Sequence, residues 1–228
     1  MSEIPLPSDE EQSLLPYIAY GLQKRFEGRP WDGYYHVSQL YKCARVQHLY
    51  SKGESGPDPD PELMYTFELG TMYHTLIQDL LGASGIMKGR EVLAVSEEHK
   101  IMGHADAVVN IIGYDEVVEA KSLSTYVFDK MEAPYPSHVL QCMVYMHLLN
   151  MRKTGLVLYA DKSNPRFLEF RINYNPDVIA AVLDKIAYMA KQLENDELPY
   201  NYLTCRKGSW DRYCWFKTQC KRIGLEKK

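Results

Sequence analysis

Apolar and polar positions along this chain repeat with two different periods, and the changes of period mark out its elements. Leu14, Leu15, Ile18 and Leu22 follow the capping-box pattern Ser8-Asp9-Glu10-Glu11, which predicts a helix to about residue 26. Ser38 is placed to cap a second short helix through Tyr50. GESGPDPDPE, residues 53–62, reads as a loop. A third helix is expected over about 62–82, its apolar side formed by Phe67, Leu76, Ile77, Leu80 and Leu81. Strands follow from Arg90, then a helix from about Ser137 to Lys153. GLVLYA and RFLEFRI read as a strand pair around Lys162-Ser163-Asn164-Pro165, and Pro176 opens a last helix ending near Glu197-Leu198-Pro199. This order describes one α/β domain whose central sheet is flanked by helices.

Within the strand region, GHADAVVNIIGYDEVVEAKSL (103–123) places two acids and a lysine among β-branched residues. Gly113-Tyr114-Asp115 is a turn signal, so the stretch reads as an antiparallel hairpin. Alternation puts Glu119 and Lys121 on one face and Ala120 on the other. A loop centred on Ile112-Gly113 sets Asp106 opposite Glu119; one centred on Gly113-Tyr114 sets it opposite Lys121. In both registers the three charged side chains share a face. A solvent-facing salt-bridge ladder is one reading of this trio. The other is a hard-cation site, with oxygens from Asp106, Glu119 and the Ala120 carbonyl suited to Mg²⁺ or Mn²⁺. Lys121 would then orient or deprotonate a water, or offset charge in a transition state.

Composition narrows the class. At 228 residues, 46% hydrophobic and 25% charged, the chain suits one substantial domain with an appendage. No apolar run approaches membrane-spanning length, so no membrane partner is expected. MSEIPLPSDEEQ is acidic and unlike a secretory or transit segment, and a cytoplasmic location is the expectation. In a reducing compartment five cysteines, Cys43, Cys142, Cys205, Cys214 and Cys220, are an odd set that does not suit a disulfide framework, and metal binding is the expected use of the clustered ones. The net charge of −4 divides into +6 over residues 200–228 and −10 over the rest. A uniformly basic DNA-coating surface is excluded; a local basic platform is not.

Five features then occur in a telling order: Gly70-x3-His74, Gly103-x2-Asp106, Glu119-Ala120-Lys121, Gln141-x3-Tyr145 and a split cysteine set. In that order and rough spacing the chain resembles the RecB-like branch of the PD-(D/E)XK nucleases, over about Val37 to Cys220. It is similar in particular to the iron–sulfur members, the AddB-type nuclease domains and the CRISPR-associated and phage RecB-like exonucleases. The resemblance implies a restriction-endonuclease-like core, a mixed central β-sheet flanked by helices, with a C-terminal cysteine-cluster appendage. It implies that His74 ligates or borders the metals, with His104 a lower-ranked competitor, and that Gln141 and Tyr145 contact the DNA backbone or support the lysine. Packing alone is the alternative for His74, Gln141 and Tyr145. Met143, Met146 and Leu149 read as core, and Cys142 as a small buried hydrophobe.

Cys43, in Ser38-x4-Cys43-Ala44-Arg45, looks like the N-terminal cysteine motif of those members, and Arg45 is carried along as a nucleic-acid contact. Cys205, Cys214 and Cys220 would complete the ligand set of a [4Fe–4S] cluster, with structural zinc as the alternative. The nine-residue step from Cys205 to Cys214 is longer than the family's usual Cys-x2-Cys. Trp210, Tyr213, Trp215 and Phe216, interleaved with Arg206, Lys207, Arg212 and Lys217, could stack on single-stranded bases or shield the cluster.

The expected organisation is therefore one nuclease domain. Residues 1–60 form a helical part contributing Cys43, 61–199 the core and 200–228 a basic, cysteine-rich tail. The expected function is a Mg²⁺- or Mn²⁺-dependent deoxyribonuclease, exonuclease before endonuclease. Its partners would be DNA ends or single strands, with a recombination or single-strand-binding protein as a further candidate. Asp106, Glu119 and Lys121 are the expected catalytic residues. The rival readings are an inactive DNA-binding subunit of a recombination or defence complex, and a structural cysteine-metal protein.

Overall fold

A computed structural model of the chain describes residues 13–25, 30–54 and 60–199, together with Cys214 and Phe216. Helix α1 spans Leu15–Arg25; the capping box expected ahead of it lies outside the described residues. Strand β1 (Tyr35–His36) was not foreseen: two residues carry no readable period. The chain then makes a 3-10 turn, Val37–Gln39, and breaks before α2 (Ala44–Ser51). Ser38 therefore does not cap a helix through Tyr50. The N-cap of α2 is Cys43, whose ψ of 139° is extended.

Helix α3 (Pro61–Ala83) starts where Asp60 accepts a hydrogen bond from the Leu63 N–H at 2.8 Å and Pro61 occupies the first position. Its buried side matches the expected one at Ile77 and Leu81 and differs elsewhere. Met64, Ile77 and Gln78 point inward, whereas Phe67, Leu76 and Leu80 are 41%, 48% and 51% exposed. A helix apolar on several faces does not reveal by period which face docks.

Strands β2 (Met87–Ser96), β3 (Ile101–Asn110) and β4 (Asp115–Leu123) form an antiparallel meander. A short helix α4 (Thr125–Phe128) precedes α5 (Pro136–Leu148). Helix α5 stops short of the expected Lys153 because Asn150, at φ +57°, takes the left-handed conformation that ends helices. Strands β5 (Thr154–Asp161) and β6 (Phe167–Asn173) pair antiparallel, and α6 (Pro176–Glu194) closes the described chain.

The sheet order is β1-β3-β4-β5-β6, with β2 on the other edge of β3. The β1/β3 and β4/β5 pairs are parallel, so the six-stranded sheet is mixed, as expected. One face packs against α5 and α6, burying Val117, Val157, Tyr159, Met146, Ile186 and Met189. The other packs beneath α3, where Ile77 and Leu81 meet Ala107, Val118, Ala120 and Ala160. Among the described residues no helix is long and apolar enough to cross a membrane.

Strand β3 is the hinge of this layout. On one edge it pairs first with β1, at Ile101 and Met102, and then with β4, from Ala107 to Asn110. Between those pairings the neighbouring strands part, and Asp106 lies in the fork. Ala105 belongs to the core under α5 while Ala107 belongs to the cluster under α3. Residues two apart in a regular strand share a face, so β3 turns over at Asp106. Directly across, between the pairs Arg90↔Ala107 and Val92↔Ala105, Glu91 takes φ +47°. A left-handed non-glycine residue inside a strand is a strained position.

Candidate active site in the fork between two strands

The hairpin connection uses the four residues between Asn110 and Asp115, longer than the two-residue loops considered from sequence. Parity is kept. The realised register, Ala107↔Val118, extended by one residue brings Asp106 to Glu119, and there the ladder ends. In place of a backbone bond, Asp106 Oδ2 accepts the Ala120 N–H at 2.7 Å. The aspartate thus holds the fork with its side chain.

The two acids are treated differently. Asp106 is 7% exposed, and its Oδ1 lies 3.3 Å from His74 Nδ1 on α3. Burial alone would raise its pKa, but the His74 hydrogen bond, the Lys121 charge and the Ala120 N–H outweigh that and hold it down. His74 is raised in turn, chiefly by its bond to Asp106. Glu119 is completely buried, and neither carboxylate oxygen has a directed hydrogen bond among the described residues. Lys121 Nζ forms an ion pair with Glu119 Oε1, while Oε2 is left without a partner among the described residues. Burial pushes the Glu119 carboxyl up to about 7; the Lys121 charge opposes this and the Asp106 charge adds to it. For Lys121, burial pulls the ammonium down, but the charges of Glu119 and Asp106 prevail and raise it. One ammonium therefore serves two buried carboxylates.

Helix α5 supplies the next layer. Tyr145 is buried, hydrogen-bonded to Gln141, and raised in pKa first by burial and then by the Glu119 charge. The spacing of Gly103 from Asp106 has a steric reason. A Cβ at Gly103 would lie 2.8 Å from the Tyr145 hydroxyl, so only glycine admits the ring there. Cys142 is wholly buried, with its Sγ against Gly155 and 3.8 Å from the Leu156 carbonyl, and Met143 and Met146 are core. His104, the competitor to His74, is exposed and lies beside a shallow cavity lined by Asp32, His36 and Ser38.

Four residues of this neighbourhood were missed from sequence. Gln78 is buried one turn after His74, and its amide donates to the Asp106 carbonyl at 2.8 Å and to Glu91 Oε1. The i, i+4 spacing from His74 was the available signal. Glu91, His138 and Tyr159 gave none, because only the sheet and α5 bring them near the acids.

A divalent cation fits the donor set in chemistry. Two buried carboxylates, one of them orphaned, are the hard anionic oxygens such an ion would discharge. Among the described residues, however, no three His, Cys, Asp or Glu side chains stand together as a ready-made cage. The reason is visible: Asp106 is engaged by Ala120 and His74, and Glu119 leans on Lys121.

The remaining sequence candidates lie apart from the fork. Arg45 is 7% exposed, and its Nε donates to the Pro199 carbonyl at 2.7 Å, tying α2 to the chain after α6. Cys43 and Cys214 are both half-buried. Lys185 donates to the carbonyls of Leu40 and Lys42 and feels the charge of Cys43, while Lys42 feels that of Cys214. Both thiols therefore belong to the junction of α2 and α6. Cys205, Cys220 and the basic aromatic tail lie outside the described residues, apart from buried Phe216.

With this geometry established, the fold can be compared with known structures. No family model matches the chain, and no curated protein does. Among solved structures it is similar to SSO0001, with a TM-score of 0.60 and 20% identity, covering 90% of this chain and 95% of that one. It is also similar to an alkaline exonuclease, LHK-Exo, from Laribacter hongkongensis, with a TM-score of 0.55 and 14% identity, covering 72% of this chain and 89% of that one. LHK-Exo in complex with dAMP gives 0.56 and 16% over the same shares. At such identities the likeness is one of fold: this chain has a mixed α/β fold shared with an exonuclease.

Proposed function

We propose that the protein is a divalent-metal-dependent deoxyribonuclease that hydrolyses phosphodiester bonds, acting first on DNA ends. The observation that carries this reading is the Glu119 carboxylate, fully buried and without a directed hydrogen bond, beside buried Asp106 and Lys121. A purely structural acid in that position would be satisfied or replaced. The exonuclease fold of the compared structures agrees with the reading.

Asp106, Glu119 and the Ala120 carbonyl are the oxygens that would hold Mg²⁺ or Mn²⁺, with His74 orienting Asp106. When bound, the ion supplies Lewis acidity toward a phosphoryl oxygen and a readily ionised water. Lys121, half-buried and held in its charged form, orients the attacking water and offsets the charge that grows on the phosphorus oxygens. Gln141 and Tyr145 brace the floor of the fork from α5. The deciding experiment is Mn²⁺-dependent degradation of linear, closed circular and single-stranded DNA by the parent protein. Loss of linear DNA with survival of the closed circle supports an exonuclease, and no cleavage of any substrate rejects the reading.

The same proposal includes a [4Fe–4S] cluster on Cys43, Cys205, Cys214 and Cys220. Its support is the placement of Cys43 and Cys214 at one junction, lined by Lys42 and Lys185, whose cations suit an anionic cluster. Closing so long a loop stabilises by several kcal/mol, to order of magnitude. Serine at any of the four should abolish the brown chromophore and lower thermal stability, while Cys142→Ser should do neither. Anaerobically purified protein with stoichiometric zinc and no iron would replace the cluster by zinc.

A further inference from the structure

Tyr159 sits on β5 directly across from Lys121 on β4, with its side chain completely buried. Its hydroxyl accepts the Tyr135 N–H at 3.0 Å and meets His138 Nδ1 at 2.8 Å. A phenol has one proton to donate, and an interior hydroxyl left without an acceptor is unfavourable. With the Tyr135 N–H already pointing at the oxygen, the acceptor for that proton among the described residues is His138 Nδ1. The neutral ring must then carry its own hydrogen on Nε2.

His138 occupies the first turn of α5, three residues before Gln141 and seven before Tyr145, so the three lie on one stripe of the helix. That stripe faces the fork: Tyr145 lies against Gly103 and feels the charges of Glu119 and Asp106, and His138 feels that of Lys121. Burial, followed by the Lys121 charge, pushes the His138 pKa down to about 4, so at neutral pH the ring is neutral while Lys121 is charged. Its Nε2 has no partner among the described residues, on a ring that is only half-buried.

We infer that His138 is a neutral hydrogen-bond donor to a phosphate oxygen of the bound DNA strand, fixed in its Nε2-protonated form by Tyr159 beside Lys121. The inference rests on the nuclease reading and deepens it. An ammonium alone attracts a phosphate without fixing its direction. An imidazole locked by a tyrosine adds direction, and being uncharged it does not compete with a cation at Glu119. A neutral donor in a half-dry site needs no reorganisation when the substrate arrives.

The tautomer can be read directly. A long-range ¹H–¹⁵N spectrum at neutral pH should show His138 protonated on Nε2, and Tyr159→Phe should release it to a mixture of tautomers. Titration with dAMP should shift the His138 Nε2 resonance. His138→Ala should weaken dAMP about tenfold, the value of one hydrogen bond to a charged group, and raise KM for linear DNA more than it lowers kcat. His138→Gln, which keeps an acceptor and a donor, should recover part of both. An Nδ1-protonated or charged ring, or a ring silent to dAMP, overturns the assignment, as does a His138→Ala variant that binds dAMP like the parent. A protein whose His138 responds to dAMP but which never cleaves DNA would retain the phosphate contact and lose the nuclease reading.

Discussion

Two buried acids on neighbouring strands, Glu119 on β4 and Asp161 at the end of β5, are handled in opposite ways. Asp161 is wrapped by donors: the Ser163 N–H at 2.9 Å, Thr125 Oγ1 at 2.7 Å, Asn164 Nδ2 at 2.9 Å and the Arg166 guanidinium. Burial tends to raise its pKa, but these bonds dominate and hold it well below the ordinary carboxylate range. Glu119 has only the Lys121 ion pair and sits at about 7. Burial is common to both, so satisfaction is what separates them. A carboxylate whose bonds are complete closes the turn between β5 and β6. A carboxylate left incomplete beside a lysine and a second acid is kept for something the folded chain alone does not provide.

The largest expected effect falls on the incomplete side. Lys121→Ala should lower kcat for DNA cleavage by about 10²–10⁴-fold, the range for losing a positioned proton-transfer or charge-stabilising group. Binding of the DNA itself should stay within a few-fold of the parent, as a gel-shift titration in Ca²⁺ would show. Asp161→Asn, in contrast, should cleave at nearly the parental rate in single-turnover assays. Equal cleavage by Lys121→Ala and the parent would erase the functional half of the comparison.

Metal affinity comes next. Glu119→Gln and Asp106→Asn should each weaken Mn²⁺ binding by more than about tenfold in calorimetry, since each amide removes a charged oxygen donor. Asp161→Asn should leave Mn²⁺ binding unchanged. Unchanged binding in all three variants would return Glu119 and Lys121 to the status of an internal salt bridge.

The pH dependence of stability should separate the two acids by sign. Glu119 has a folded pKa near 7, above its ordinary 4.5. The unfolded chain therefore gives up this proton first, and stability present below pH 4.5 is lost progressively up to about pH 7. The loss amounts to at most about 3 kcal/mol. In Glu119→Gln, urea melts should show that slope flattened. Asp161 is depressed below its ordinary 3.8, so its contribution is present above that value and is lost as pH falls through the folded pKa. Asp161→Asn should be less stable than the parent at neutral pH, with the gap narrowing in strong acid. The smallest change expected is from Asn164→Ala, which removes one of several donors to Asp161: a slight drop in the unfolding midpoint and no change in Mn²⁺ binding.

Much of the site could be read before any fold was known. The hairpin period placed Asp106, Glu119 and Lys121 together because strand alternation is local and survives a change of loop length by an even number of residues. Helix α3 was legible from its apolar residues after the 53–62 loop, and α6 from Pro176 at its start. Cys142, Met143 and Met146 could be placed in the core for the same local reason. Local signals failed where one element met another. Ser38 had a capping residue's chemistry, but the chain turns at Val37–Gln39 and breaks at Cys43. The tie from the Arg45 Nε to the Pro199 carbonyl, 154 residues away, likewise left no local signal.

The sequence alone thus determined which candidate residues share one face of a hairpin and on what kind of element each sits, since capping, turn chemistry and hydrophobic period all act within a few residues. Only the tertiary structure decided their electrical state. The parting of β3 from β4 freed Asp106 to bind the Ala120 N–H, and α3 brought His74 to it. Closure of both faces of the sheet left Glu119 dry, β5 set Tyr159 across from Lys121, and α5 brought His138 to the Tyr159 hydroxyl. Burial and Coulomb interaction depend on distances through space and on the exclusion of water. Neither is written in the spacing of residues along a chain.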